Sequence, residues 1–153
     1  MSEKDKMTKN DPEFIAFREL CNRHGLAATI QRFIVYQTLC QMHNHPTPDM
    51  IFERLHPTCA SVSRMSVYRI LEQFSRCRII RRLNHPGSSM RYDAFMHPHH
   101  HLICVDCGAV YDIPCREDEQ ITLPPESVPD GAIVLDYTLD FQGLCRRCAA
   151  KPV

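Results

Sequence analysis

Two Cys-x-x-Cys pairs constrain the fold of this 153-residue chain more than any other feature. The first pair is Cys104 and Cys107, followed by Gly108, and the second is Cys145 and Cys148. Four thiolates suit a closed, tetrahedral zinc site, and the glycine permits the bend that brings the first two sulfurs to one metal. Since the pairs are distant in sequence, zinc would hold the C-terminal segment against the rest of its domain. We therefore predict one structural zinc ion per subunit.

The composition favours a cytoplasmic protein. Nine cysteines without a secretion signal indicate thiols and metal ligands in a reducing compartment rather than a disulfide framework. Residues 1–10 are polar and charged and are predicted to be a disordered arm. No apolar run approaches the roughly 20 residues that a membrane span needs, so no membrane association is expected.

The charges are unevenly distributed along the chain. Residues 1–84 carry 13 Lys and Arg against 8 Asp and Glu, whereas residues 85–153 carry 5 against 10. A basic front half suits a polyanion such as DNA, and an acidic back half suits cations or a partner subunit. The same split also arises by chance at this length, so it supports DNA binding only together with the helix pattern.

The front half is predicted to contain four helices. Asp11-Pro12 begins the first, which ends near His24-Gly25. Thr29, Thr47 and Ser63 can cap the other three, and Pro48 suits the first turn of the third. Apolar residues recur at helical spacing. On the second helix they are Phe33, Ile34, Leu39 and Cys40, and on the fourth they are Val67, Ile70, Leu71 and Phe74.

A β-hairpin is predicted to follow, with strands at 79–83 and 90–95 around a turn at 84–89. Helices followed by such a hairpin are typical of a winged-helix DNA-binding domain, which we place at residues 11–84 with the wing reaching to about 95. The predicted outward face of its last helix carries Arg64, Ser66, Arg69, Gln73 and Arg76. The alternative is that this face is only a solvated surface.

Residues 96–153 are predicted to form a second, metal-binding domain. Strands are expected at 99–104, at 109–113 and over a long stretch at 132–142. Between the last two, the proline-rich segment 123–129 leaves room only for a short helix near 116–120. The predicted fold class is therefore α+β.

Histidines and aspartates in this region suit a second kind of metal site. His99 and His101 alternate on a strand and so point to one face, while His100 points to the other. Asp93 and Asp112 lie at the ends of flanking strands and can complete the set. Imidazoles with carboxylates suit an exchangeable iron, manganese or zinc ion. In the front half, the residues alone do not favour His45 over His43.

Six segments together resemble the ferric uptake regulator family over roughly residues 11–150. They are TIQR at 29–32, HPT at 45–47, SVYR at 66–69, RYD at 91–93, HHHLICVDCG at 99–108 and CRRC at 145–148. The resemblance implies a homodimeric, metal-dependent bacterial repressor that binds an operator in double-stranded DNA. It also implies an N-terminal winged helix and a C-terminal α/β dimerisation domain.

The resemblance further implies one regulatory iron(II) or manganese(II) ion per subunit. Its implied ligands are His45, Asp93, His99, His101 and Asp112. Two aspartates in this set resemble the peroxide-sensing branch of the family, because iron-sensing members typically have glutamates there. Zinc-sensing members commonly have cysteine at the position of Asp93. In the peroxide-sensing branch, hydrogen peroxide is the signal and iron-catalysed oxidation falls on the histidines that match His45 and His99.

A further metal site of some family members is degraded in this sequence. Tyr137 stands where a histidine is usual, and His100 replaces an acidic residue. Glu119 is a possible remnant of that site. We therefore expect one regulatory site in each subunit.

The implied mechanism joins the two domains through the metal. His45 comes from the DNA-binding domain and the other four ligands from the dimerisation side, so bound metal would fix the spacing of the dimer's two recognition helices. Tyr68 and Arg69 are predicted to contact bases. The other predicted DNA contacts are Arg32, Arg64 and Arg76 on phosphates, with Ser66 on the same helix.

The five cysteines outside the zinc pairs have simpler interpretations. Cys21, Cys40 and Cys77 lie in helical patterns and are predicted to be small core residues. Cys59 and Cys115 lie in loop-like segments, where a thiol can be reactive.

Three alternatives to a peroxide-sensing repressor remain at this stage. The first is an iron- or manganese-responsive repressor that ignores peroxide. The second is a zinc hydrolase, which lacks an evident general base and leaves the basic half unexplained. The third is a metal store, which would bind metal without its recognition helix. We expect that the protein is not an enzyme.

Overall fold

The computed structural model describes residues 11–83, 89–115, 122–135, 137 and 139–151. The chain divides into two compact units, the first ending at Met96 and the second beginning at His97. The predicted arm at 1–10, the turn at 84–88, the short helix at 116–120 and Glu119 lie outside the described residues. Within the described ranges, no helix has the length and apolar character needed to cross a membrane.

The first unit contains four helices and a two-stranded antiparallel sheet. The helices are α1 (Pro12–Arg23), α2 (Ile30–Gln41), α3 (Pro48–Leu55) and α4 (Arg64–Arg76), and the strands are β1 (Arg81–Leu83) and β2 (Arg91–Asp93). Arg82 lies opposite Tyr92 in the β1–β2 pair. This arrangement agrees with the predicted helices and hairpin.

Each of the four helices begins at a side chain that caps it. Asp11 accepts a hydrogen bond from the backbone N–H of Glu13, and Thr29, Thr47 and Ser63 accept from the N–H three residues later. Such caps satisfy backbone donors that have no partner inside the helix, and each typically contributes about 1 kcal/mol. The capping predictions are confirmed.

The core of the first unit is built on aromatic side chains. Phe14, Phe17, Phe33 and Phe74 are buried, and their ring centroids lie 5.4 to 6.4 Å apart in tilted and edge-to-face pairs. Such pairs add about 0.5–1.5 kcal/mol each to the burial of their surface. From α4, all four residues predicted to point inward are buried: Val67, Ile70, Leu71 and Phe74.

The structure corrects part of the predicted helix faces. Cys40 is exposed rather than buried, because the inward face of α2 is centred on Phe33, Val35, Thr38 and Leu39. Cys21 is fully buried as predicted, and burial raises the pKa of its thiol to about 11. Cys77 and Cys59 are half-buried and pack against the core, and Cys115 is half-buried.

The second unit contains a three-stranded sheet in the order β4-β3-β5. Its strands are β3 (His99–Cys104), β4 (Val110–Pro114) and β5 (Asp140–Gly143), and a short helix, α5 (Arg146–Ala149), follows. Strand β3 pairs antiparallel with β4 and parallel with β5. A single 3-10 turn at Pro125–Ser127 is found in the proline-rich segment that the structure describes.

The predicted long strand at 132–142 is wrong over most of its length. Only its end forms β5, and residues 132–135 have no regular structure. A strand needs a neighbour to pair with, and Ile133 and Leu135 are 82% and 67% exposed. The mixture of helices and sheets nevertheless confirms the predicted α+β class.

Candidate metal centres

The four cysteines of the two Cys-x-x-Cys pairs come together in the second unit. The sulfur atoms of Cys104, Cys107, Cys145 and Cys148 all lie within 4.8 Å of one another. All but Cys107 are buried, and the Sγ atoms of Cys107 and Cys145 are 3.8 Å apart. Four converging sulfurs are the donor set of a closed structural zinc site, which agrees with the prediction.

Strand pairing and one tight turn place these sulfurs. Gly108 closes the turn after β3 with a φ of 67°, a left-handed conformation that favours glycine, and its N–H donates to the Cys104 carbonyl at 2.8 Å. Across the parallel β3–β5 pair, Cys104 lies opposite Gly143, two residues before Cys145. The remote pair is therefore brought to the turn by the register of the sheet.

Hydrogen bonds favour the thiolate form that zinc requires. The backbone N–H of Cys145 donates to Cys104 Sγ at 3.3 Å, and this bond is the largest cause that lowers the pKa of Cys104 to about 6. The pKa of Cys145 is lowered chiefly by a backbone hydrogen bond from Cys148. By contrast, the pKa of Cys148 is raised, first by its hydrogen bond with Asp106, whose carboxylate also holds Lys151 Nζ at 2.6 Å.

A pair of imidazoles forms a different kind of group on β3. His99 and His101 are buried, and their Nε2 atoms are 3.0 Å apart. Two nitrogen ligands of one cation, each about 2.1 Å from it, are separated by roughly 3 Å. His100, between them, is also buried and lies edge-on to Phe141 with ring centroids 6.2 Å apart.

The other ring nitrogens indicate how these imidazoles are protonated. Nδ1 of His99 lies 2.8 Å from the His97 carbonyl oxygen, and Nδ1 of His101 lies 3.2 Å from Asp140 Oδ1. Both partners are acceptors, so each Nδ1 carries the proton in a neutral ring. The two Nε2 lone pairs then face each other across 3.0 Å. This arrangement fits a cation bound between them.

Asp112 supplies a carboxylate to the same group. It lies opposite His101 in the β3–β4 pair, and its Oδ1 is 3.5 Å from Nε2 of His99 and 3.8 Å from Nε2 of His101. Its side chain is 48% exposed, in contrast to the two buried imidazoles. The group thus has one carboxylate that solvent reaches.

In the first unit, the structure places His45 beside Asp93. Both side chains are buried, and His45 Nε2 lies 4.0 Å from Asp93 Oδ1. The backbone of His45 has a φ of 49°, a left-handed conformation that is uncommon for residues other than glycine. Arg91 Nη1 donates to the His45 carbonyl at 2.9 Å, and the Tyr92 N–H donates to the Pro46 carbonyl at 3.1 Å. Hydrogen bonds between the HPT and RYD segments therefore hold His45 and Asp93 next to each other.

The burial of His45 separates it from His43, which is exposed. Asp93 was predicted to come from the dimerisation side, but it lies in the first unit, because β2 pairs with β1 there. The first unit thus brings His45 and Asp93 together, and the second unit contains the other three predicted regulatory residues. Asp140 beside His101 was not predicted, because its position depends on the register of β5. Of the residues at the further metal site that the resemblance predicts to be degraded, Tyr137 is exposed and His100 packs on an aromatic ring.

The residues predicted to contact DNA lie mostly on α4. Arg64, Tyr68, Arg69 and Arg76 are exposed. Arg64 forms an ion pair with Asp49 and lies over the Phe52 ring at 4.6 Å, and the Tyr68 hydroxyl donates to Asp49 at 2.9 Å. Arg76 Nε lies 3.1 Å from Glu72.

Three polar side chains are half-buried: Ser66 and Gln73, which were predicted to face outward, and Arg32, which like Ser66 was predicted to contact DNA. Ser66 Oγ lies 2.9 Å from the Ser63 hydroxyl at the N-terminus of α4. Arg32 donates to the Ala27 carbonyl and to Gln73 Oε1, the latter at 2.9 Å. These internal hydrogen bonds explain why the side chains of Ser66 and Gln73 are only partly exposed to solvent.

Comparisons with known proteins agree on one family. The ferric uptake regulator family matches residues 23–132. The peroxide-responsive repressor PerR of Staphylococcus saprophyticus subsp. saprophyticus is 30% identical over 128 residues, covering 84% of this chain and 86% of that protein.

Solved structures share the fold. The ferric uptake regulator from Pseudomonas aeruginosa, solved with manganese, gives a TM-score of 0.67 at 25% identity, covering 84% of this chain and 97% of that one. The Helicobacter pylori ferric uptake regulator Fur gives a TM-score of 0.66 at 23% identity, covering 91% and 93%.

Proposed function

Because this chain belongs to the ferric uptake regulator family and is a metal-responsive transcription regulator, we propose that it is a repressor whose signal is hydrogen peroxide, sensed through iron.

The observation that carries the proposal is the pair of aspartates in the regulatory donor set. Asp93 lies beside His45, and Asp112 lies beside His99 and His101. Oxygen and imidazole donors suit iron(II) and manganese(II). The half-exposed Asp112 leaves a side from which a small oxidant can approach. The Staphylococcus relative, itself named a peroxide-responsive repressor, supports the same choice.

The regulatory metal would be held by His45, Asp93, His99, His101 and Asp112. The first two belong to the first unit and the other three to the second. A cation bound by all five would join the units and fix the spacing of the recognition helices in a dimer, so metal binding would be coupled to operator binding. Structural zinc at the four cysteines would keep the second unit folded in either state.

Bound iron(II) would supply the one-electron chemistry that activates peroxide. Overall, the two electrons that reduce the peroxide come from the imidazole of His45 or His99: one ring C–H bond becomes C–OH with one oxygen atom of the peroxide, and the other oxygen atom leaves as water. An oxidised imidazole is a weaker ligand, so the metal would no longer join the two units and the operator would be released.

Dimerisation and DNA contact complete the proposal. Exposed apolar side chains in the second unit suit a subunit interface: Ile133, Val134, Leu135, Phe141 and Leu144. Each subunit would then place one α4 in the major groove, with Tyr68 and Arg69 on base edges and Arg64 and Arg76 on phosphates. Arg32 and Ser66 would support the recognition helix through their internal hydrogen bonds.

The second candidate is an iron- or manganese-responsive repressor that ignores peroxide. It is favoured by the fold shared with the manganese-bound Pseudomonas aeruginosa regulator, and the same ligands would serve it.

The deciding experiment uses protein purified without air and loaded with zinc and then iron(II). After treatment with peroxide, intact-mass analysis should show addition of one oxygen atom, mapped by peptide analysis to His45 or His99, together with release of operator DNA. The manganese-loaded protein is the matched control and should gain no oxygen. If iron-loaded protein releases DNA while its mass stays the same, histidine oxidation is not the mechanism.

A further inference from the structure

Asp140 lies behind one of the two buried imidazoles of β3. It is the first residue of β5 and pairs with His101 in the parallel register of the sheet. Its Oδ1 lies 3.2 Å from His101 Nδ1, and the His101 N–H donates to the Leu139 carbonyl at 3.2 Å. Two consecutive residues of one segment thus fix both the backbone and the ring of His101.

The burial of the imidazole makes this hydrogen bond consequential. The His101 side chain is 1% exposed, and that of Asp140 is 33% exposed. A carboxylate accepts only, so the proton of a neutral His101 ring resides on Nδ1 and the Nε2 lone pair points toward His99. Because the His101 ring is buried, water cannot replace Asp140 as its hydrogen-bond partner at low cost.

The two imidazoles are oriented by chemically different partners. His99 donates to a neutral backbone carbonyl, whereas His101 faces an ionisable side chain. A carboxylate behind a ligating imidazole raises the basicity of its other nitrogen, which a carbonyl does less strongly. The partner of His101 is a side chain, so a substitution can remove it. The basicity of His101 Nε2, and with it the affinity of this nitrogen for a metal ion, should then fall.

We propose that Asp140 is a positioning residue for the regulatory metal, which fixes the tautomer of His101 and strengthens it as a ligand through Nε2. Asp140 is not among the five residues proposed to bind the metal. The inference rests on the proposed function for its consequence in metal binding. Its structural part, the tautomer of His101, stands without any metal.

The test of metal binding uses full-length protein loaded with zinc, with manganese(II) as the probe. Asp140→Ala should weaken manganese binding by about 10- to 100-fold, measured as free manganese by electron paramagnetic resonance. Asp140→Asn keeps the shape and one acceptor but loses the charge, so its affinity should fall between wild type and Asp140→Ala. Asp130→Ala, an exposed position on the 122–135 segment, is the control and should bind as wild type.

A second measurement separates positioning from a merely structural role. Long-range proton–nitrogen NMR spectra of the zinc-loaded, manganese-free protein report which nitrogen of His101 carries the proton. Wild type should show Nδ1–H, and Asp140→Ala should lose this preference while keeping its zinc content and melting temperature. Asp140→Ala with unchanged tautomer and unchanged manganese affinity overturns the inference.

The two proposals fail in different ways. A wild-type protein that binds no manganese or iron at this site contradicts the proposed function, yet the NMR comparison still decides the role of Asp140. If wild type binds manganese and Asp140→Ala binds it equally tightly with an unchanged His101 tautomer, only the role of Asp140 is contradicted.

Discussion

The four-cysteine group and the histidine–aspartate residues differ in where their members lie along the chain. All four cysteines belong to the second unit, and one turn and one strand pairing place them. The histidines and aspartates are divided between the units, and each pair has its own local support. A site assembled within one unit stabilises that unit, whereas ligands divided between two units report how the units are arranged.

The two groups also differ in donor chemistry and access. Thiolates in a closed set favour a permanent zinc ion, and backbone hydrogen bonds already lower the pKa of Cys104 to about 6. Imidazoles with a half-exposed aspartate favour an exchangeable ion. We therefore expect substitutions in the first group to change stability and those in the second to change regulation.

The largest effect is expected from Cys104→Ser. It removes a buried thiolate from the four-cysteine group, so zinc should be lost and the second unit should unfold, because zinc binding and folding are coupled there. Zinc content and a thermal melt followed by circular dichroism would measure this. Cys59→Ser, a half-buried cysteine outside the group, should leave both unchanged. An unaltered melting curve for Cys104→Ser would contradict the assignment of this group as structural.

His45→Ala should have a large effect on regulation and none on stability. Zinc content, dimer and melting temperature should be retained, while the increase of operator affinity on adding metal, typically 5- to 150-fold for coupled sites, should disappear. Operator binding with and without manganese would be measured by fluorescence anisotropy. His43→Ala, at an exposed position two residues earlier, is the matched control. Unfolding of His45→Ala would show that His45 supports the fold instead of regulation.

Asp112→Glu should have an intermediate effect confined to sensing. The longer side chain keeps a carboxylate donor, so manganese-dependent operator binding should persist. Its different reach alters the side of the site open to peroxide, so iron-loaded protein should gain oxygen more slowly. The rate would be followed by intact-mass analysis over time. If Asp112→Glu and wild type gained oxygen at equal rates, the choice of aspartate over glutamate would not explain peroxide sensitivity.

The sequence predicted most of the first unit because its signals are local. Capping side chains and helical spacing lie within a few residues of each other, as at Ser63 and α4. The zinc cysteines were equally predictable, since two Cys-x-x-Cys pairs indicate a zinc site regardless of the sequence between them.

Features that depend on distant pairing were missed. The stretch 132–135 has strand-forming residues but no strand, and Asp140 meets His101 only through the register of a parallel pair. Periodicity did not distinguish His45 from His43 either, because a single left-handed residue in a loop leaves no repeating pattern. The resemblance to a family supplied His45, and its burial is a property of the folded unit.

The smallest effect is expected from Arg91→Ala, which tests how the first unit holds its own ligand. The lost hydrogen bond leaves the left-handed His45 backbone less constrained, and a charged hydrogen bond contributes about 1.5–3 kcal/mol. Because Arg91 holds the backbone of His45 and not its ring, manganese affinity should fall by less than the roughly 10-fold lower bound that is typical of a partner of the ligating ring, while zinc content stays constant. Arg91→Lys keeps one donor and should lose less. Arg78→Ala is the matched control, because Arg78 also has a left-handed backbone (φ 57°) and its side chain is exposed. If Arg91→Ala released zinc instead, the two groups of ligands would not be independent, and the contrast between a structural and a regulatory site would fail.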